Sequence, residues 1–143
     1  MNVPAFSIFS AVSELFVTAG VLYVMLRNWN RLRFAFPIFL AVVLFEAFVN
    51  VLYMSQRASQ AAAGSTGHTM SAAMRLFFAL HGMVSLLAFI VFVVLGVFAH
   101  QDQKKGRFFF REHPAVTWTF LVVWILSVGS GEVIFALRYL RGA

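Results

Sequence analysis

Four ionisable residues stand inside long apolar runs of this sequence: Glu14, Glu46, His81 and Glu132. Carboxylates and one imidazole make up the ligand set of iron, manganese or zinc sites in helical bundles, and imidazole also suits copper. A divalent ion would keep such acids charged in surroundings of low dielectric. Without one, three neighbouring carboxylates could not all be ionised, and the group would become a proton relay or a protonated hydrogen-bond network. Ionisable residues within membrane spans usually face the bundle interior or a water-filled cavity and mark function. The Glu-x-x-His pair of soluble di-iron bundles is missing.

The elements that must carry these residues are apolar helices. The chain has 143 residues, 62% hydrophobic and only 11% charged, against about 25% charged in a soluble domain. A helix needs roughly 20 apolar residues to cross the hydrocarbon core. Four segments qualify, at about 5–26, 34–54, 74–99 and 115–138. The first has no basic start and is long for the apolar core of a signal peptide. The expected fold is an all-α, integral membrane, antiparallel four-helix bundle in a single domain, wound up-down-up-down through short connections. No internal repeat is evident.

Counted from the ends of these spans, Glu14, Glu46, His81 and Glu132 fall about nine, eight, seven and six residues from one common side. At 1.5 Å per residue that places all four roughly 9–14 Å below the boundary. Each helix therefore contributes one ionisable group to a single layer. Ser7, Ser10, Glu14 and Thr18 share a helical face, as do Glu46, Asn50 and Tyr53, and His81 and Ser85. Gly129, Ser130 and Gly131 beside Glu132 permit close helix approach. In this reading Glu14, Glu46, His81 and Glu132 are metal ligands, and Ser10, Asn50 and Ser85 support them. The competing reading is a structural subunit whose protonated acids bond between helices.

Charge sets the orientation. The loops at 27–33 and 100–114 hold seven Lys and Arg, namely Arg27, Arg31, Arg33, Lys104, Lys105, Arg107 and Arg111. The opposite side holds four, Arg57, Arg75, Arg138 and Arg141. The excess assigns the first set to the cytoplasm and both termini to the outside. The net charge of +6 then reflects loops facing anionic lipid rather than nucleic acid. "RFFFR" (107–111) reads as an interfacial lipid anchor.

Other chemistry is thin. Cysteine is absent, which removes disulfides and thiolate metal sites. Nucleophile motifs and nucleotide fingerprints are missing, and "GSTGH" (64–68) lacks the lysine of a phosphate loop. A haem between two histidines is disfavoured, because His100 lies 19 residues from His81 on one helix, roughly 28 Å away. A haem held by His100 or His113 with a ligand from a partner subunit stays open. His68, Met70 and Met74 could capture a soft metal, although a chance grouping in a flexible loop explains them too.

The last two spans carry a resemblance. "LFFALHGMVSLLAFIVFVVLGVFAH", a basic loop, then "HPAVTWTFLVVWILSVGSGEVIFALRYL" resembles the CtaM/YozB-like family of small four-helix membrane proteins. His81 would correspond to that family's histidine in its third helix. His113, Thr117 or Thr119, Trp124, Ser127 and Gly131 fit its fourth. The likeness covers about the C-terminal half, and the family's histidines around the second helix are replaced here by Glu46 and Asn50. It implies a setting in the maturation of haem-copper terminal oxidases. The expectation is therefore a small accessory subunit or maturation factor of a respiratory or electron-transfer complex. Its partners would be a larger membrane complex, such as a haem-copper oxidase, and lipid, and its location a bacterial cytoplasmic membrane.

Overall fold

The computed structural model describes residues 5–63 and 71–140. Helix α1 spans Ala5–Trp29, α2 Phe36–Ala62 and α3 Ala72–Lys104; a single turn, α4, spans Phe109–Glu112, and α5 spans Pro114–Phe135. A π-helical turn, Ala136–Leu140, continues α5. Four of these helices are long and apolar enough to cross a membrane. They form an all-α, antiparallel four-helix bundle, and the chain is an integral membrane protein. In hydrocarbon a backbone N–H or C=O has no water to bond, so helices that satisfy their own backbone are the stable choice for such a sequence.

Two ends of the bundle differ. The basic end carries the turn at 30–35 and the connection at 105–113. There the core is aromatic: Phe39 of α2 meets Phe92 of α3 with ring centroids 5.1 Å apart. Phe92 in turn meets Phe120 at 5.9 Å and Trp124 at 5.7 Å on α5. Helix α1 lays Val17, Val21, Val24 and Met25 against this cluster, all buried. The edge of the Phe39 ring occupies the place a side chain on Gly96 would take, so α2 and α3 come close there. Helix association in lipid depends on such packing, because lipid tails are as apolar as leucine.

The connection between α3 and α5 corrects one expectation. "RFFFR" is not a lipid anchor: Phe110 is 0% exposed and Phe109 is 9%. The α4 turn folds back under the bundle. Asn28 Oδ1, on fully buried Asn28, accepts the Phe110 N–H at 3.1 Å. The Thr117 hydroxyl donates to the Phe110 carbonyl at 2.7 Å, and Arg111 donates to the Trp29 carbonyl at 3.1 Å. These partners lie far away in sequence, and they turn an apparent membrane anchor into a plug.

Two helix ends at this side are closed by the same device. After α3, Gly106 N–H bonds the Gln103 carbonyl and Arg107 N–H the Asp102 carbonyl, with Gly106 at φ 73°. After α1, Arg31 N–H bonds Asn28 and Leu32 N–H bonds Arg27, with Arg31 at φ 60°. Both are Schellman caps, which need a left-handed residue and favour glycine there. Arg31 pays a side-chain clash that Gly106 avoids. Arg31→Gly is expected to raise unfolding free energy by about 1 kcal/mol, read as a higher melting temperature in detergent; an unchanged or lower value would show that the arginine side chain contributes more than the strain.

Helix ends also move from expectation. Helix α2 continues past residue 54 to Ala62, and α3 continues past 99 to Lys104. His100 thus lies on a helix, its ring stacked on Phe36 at 4.1 Å.

Candidate functional site

The far half of the bundle, toward the ends of α2 and α5 and the starts of α1 and α3, is polar and loosely packed. All the buried residues of α3 lie from Ala88 onward, and α2 residues 50–56 are all exposed. Into this half project the four residues whose spacing first drew attention.

Helix register sets their depth. Gly20 sits beside Val42, and Phe6 lies beside Tyr53, so Glu14 of α1 falls opposite Glu46 of α2. Their carboxyl groups are within hydrogen-bonding reach of each other. Ser85 Oγ bonds Ser127 Oγ at 2.7 Å, which brings Glu132 level with His81. Glu14 and Glu46 thus make one tier, on α1 and α2, and His81 with its α5 partners another, while Glu132 is near enough to Glu14 to interact with it electrostatically.

Each tier has its own connections. Glu46 is buried, at 7% exposure. Asn50, one turn on, donates through Nδ2 to the Glu46 carbonyl at 2.9 Å and to Glu46 Oε1 at 3.4 Å. Two carboxyl groups can hydrogen-bond only when one of them carries a proton, since a carboxylate has no donor. A hydrogen bond between Glu14 and Glu46 would therefore require a proton on one of the two.

In the other tier, Ser130 Oγ donates to the Ser127 carbonyl at 2.8 Å and bonds His81 Nδ1 at 2.7 Å. In the tautomer that carries its hydrogen on Nδ1, His81 donates to the Ser130 hydroxyl and leaves Nε2 as an acceptor. The ring lies over Gly131, where a Cβ would come within 3.1 Å of Cε1 and 3.3 Å of Nε2. Gly131 accordingly makes room for the imidazole.

The supporting residues fall as follows. Asn50 touches Glu46. Ser85 joins Ser127 and, through the adjacent turn of α5, lies along the Ser130–His81 contact. No described side-chain hydrogen bond involves Ser10. Thr18 and Ser7, placed with Glu14 on one face of α1, are shared out to α5: Trp124 donates to Thr18 Oγ1 at 3.2 Å, and Ser7 bonds the Tyr139 hydroxyl at 3.2 Å. Ser127 and Ser130 escaped notice as site residues, although their spacing of three beside His81-bearing α3 was the available signal.

Among the described residues no three His, Asp or Glu side chains converge on a point that could hold a metal ion. Glu14 and Glu46 face each other, while His81 is turned to Ser130. The donor types suit a divalent ion, but their arrangement does not, so no step through a metal is derived. His113 bonds the Phe109 carbonyl through Nδ1 at 2.9 Å and stacks on that ring. His68, Met70 and "GSTGH" lie outside the described residues.

Comparison with known proteins adds no relative: no family model matches the chain, and neither curated proteins nor solved structures match it.

Proposed function

We propose that this chain is a small accessory subunit or maturation factor of a respiratory or other electron-transfer complex, and that its interior polar site holds protons. The observation that carries the proton reading is the Glu14–Glu46 carboxyl contact. Around it, Glu132 supplies a third acid and His81 an imidazole bonded to Ser130. Ser130, Ser127 and Ser85 fix the imidazole and join α3 to α5. Such a set can store a proton inside the membrane.

The respiratory setting draws on the resemblance of the C-terminal half to the CtaM/YozB-like family, with a haem-copper oxidase as the kind of partner. The excess of Lys and Arg in the loops at 27–33 and 100–114 supports a basic end on the cytoplasmic side of a bacterial membrane, with both termini outside.

Elemental analysis of the purified chain, with mild-detergent isolation from its native membrane, tests this reading. The expected result is no stoichiometric metal and co-migration with a haem-bearing complex. One iron, manganese, zinc or copper ion per chain, lost in Glu46→Gln, would replace the proton site by a metal site. Migration alone would remove the accessory role.

A further inference from the structure

An apolar groove of about 430 Å³ runs between α3 and α5 on the lipid-facing side, at the basic half of the bundle. Leu87, Val91 and Leu95 form one wall, and Ala115, Val116 and Val123 form the other. The groove has the length of an acyl segment: the eight helical steps from Leu87 to Leu95 rise about 12 Å. In a bilayer it does not stay empty, and the hydrocarbon nearest to it is a lipid tail.

The mouth of the groove is chemically different from its walls. The connection at 105–113 joins the same two helices that line it. Lys104, which ends α3, and Lys105 and Arg107 of the connection are all exposed. Arg111 is committed to the Trp29 carbonyl, and Asp102 and Glu112 offset part of the charge. Ala115 and Val116 are also the first residues after Pro114 in α5, and no side chain caps that helix start. Its unpaired N–H groups and the positive end of its dipole favour an anion.

We propose that this groove binds one anionic phospholipid of the leaflet at the basic end, its acyl chain between α3 and α5 and its phosphate at Lys104, Lys105, Arg107 and the start of α5. Basic pockets between spans on the cytoplasmic side suit such headgroups, and each Lys or Arg near the surface contributes about 1 kcal/mol. A zwitterionic lipid fits the groove equally well but brings no net charge to the mouth. The site selects by headgroup and holds by tail. It is separate from the polar site, which lies in the opposite half of the bundle.

The test uses the full chain in detergent with equal amounts of phosphatidylglycerol and phosphatidylcholine of identical tails, and native mass spectrometry to count retained lipid. The wild type is expected to retain phosphatidylglycerol about tenfold or more over phosphatidylcholine, the preference that two or three cations supply. The combined variant Lys104→Gln, Lys105→Gln, Arg107→Gln is expected to lose that preference and still retain lipid at the phosphatidylcholine level. Val123→Trp, which fills the groove from an exposed position, is expected to release both lipids while circular dichroism stays helical. Equal retention by the wild type would overturn the proposal. So would a preference that survives the triple variant, or retention unaffected by Val123→Trp, which would reduce the effect to surface attraction by the loop.

Discussion

Replacing Phe92 by alanine is expected to lower the unfolding free energy by about 3–5 kcal/mol, the range for a large buried aromatic truncated in a packed core. Phe92 is 1% exposed and bridges rings of α2 and α5. It touches Phe39, Phe120 and Trp124 at once. In lipid the loss is one of dispersion contacts and of a cavity rather than of water release, because tails replace water as the surrounding solvent. The neighbouring helices cannot close the gap, since Phe39 is already pressed against Gly96. Denaturant titration in mixed micelles measures the change. Leu126→Ala, at a side chain 66% exposed to lipid, serves as the reference and should stay within about 0.5 kcal/mol. If Phe92→Ala cost no more than this reference, the aromatic cluster would not be the core of the bundle.

The second large effect concerns the acid pair, and its form matters as much as its size. Glu46→Ala removes the partner of Glu14 in a protein interior and is expected to cost about 1–3 kcal/mol, the penalty for a polar group left unpaired. Glu46→Gln keeps a donor and an acceptor in place and is expected to cost under about 1 kcal/mol. The double variant Glu14→Leu, Glu46→Leu removes both polar groups together. It should be less destabilised than the single alanine variant, because nothing is left unsatisfied. That ordering, read from melting temperatures, distinguishes a hydrogen-bonded pair from two acids that merely share a region. Additive losses for the double variant would mean that the carboxyl groups act independently.

Much of the frame was legible in the sequence because its physics is local. The apolar runs are long, the rise of a helix is fixed, and Glu14 and Glu46 come out opposite each other as counting residues indicates. What counting does not give is convergence: among the described residues His81 turns to Ser130 while Glu14 faces Glu46, and no three of the four meet at one point. Helix α2 also runs past 54 to Ala62. "RFFFR" was unreadable for a different reason. An interfacial anchor and a buried plug have the same composition, and the choice between them is made by Asn28 and Thr117, which the chain brings in from elsewhere. The fit of Phe39 into the space at Gly96 is likewise a meeting of two helices that neither segment announces.

The polar half-bundle fits the asymmetry of the molecule. At the basic end, aromatic rings and the α4 turn leave little room to move. At the far end, α3 keeps no buried residue before Ala88, and hydrogen bonds from His81 and Ser85 tie it to α5. The Glu14–Glu46 pair lies at the border of these halves, where packing changes to polar contact.

Infrared difference spectroscopy of the membrane-reconstituted chain at neutral pH tests the central claim most directly. The Glu14–Glu46 pair should give a carbonyl-stretch band of a protonated carboxyl group that shifts in heavy water. The band should disappear in Glu46→Gln and persist in Glu112→Gln, whose acid lies in the basic connection. Carboxylate bands alone, unchanged by Glu46→Gln, would contradict a shared proton.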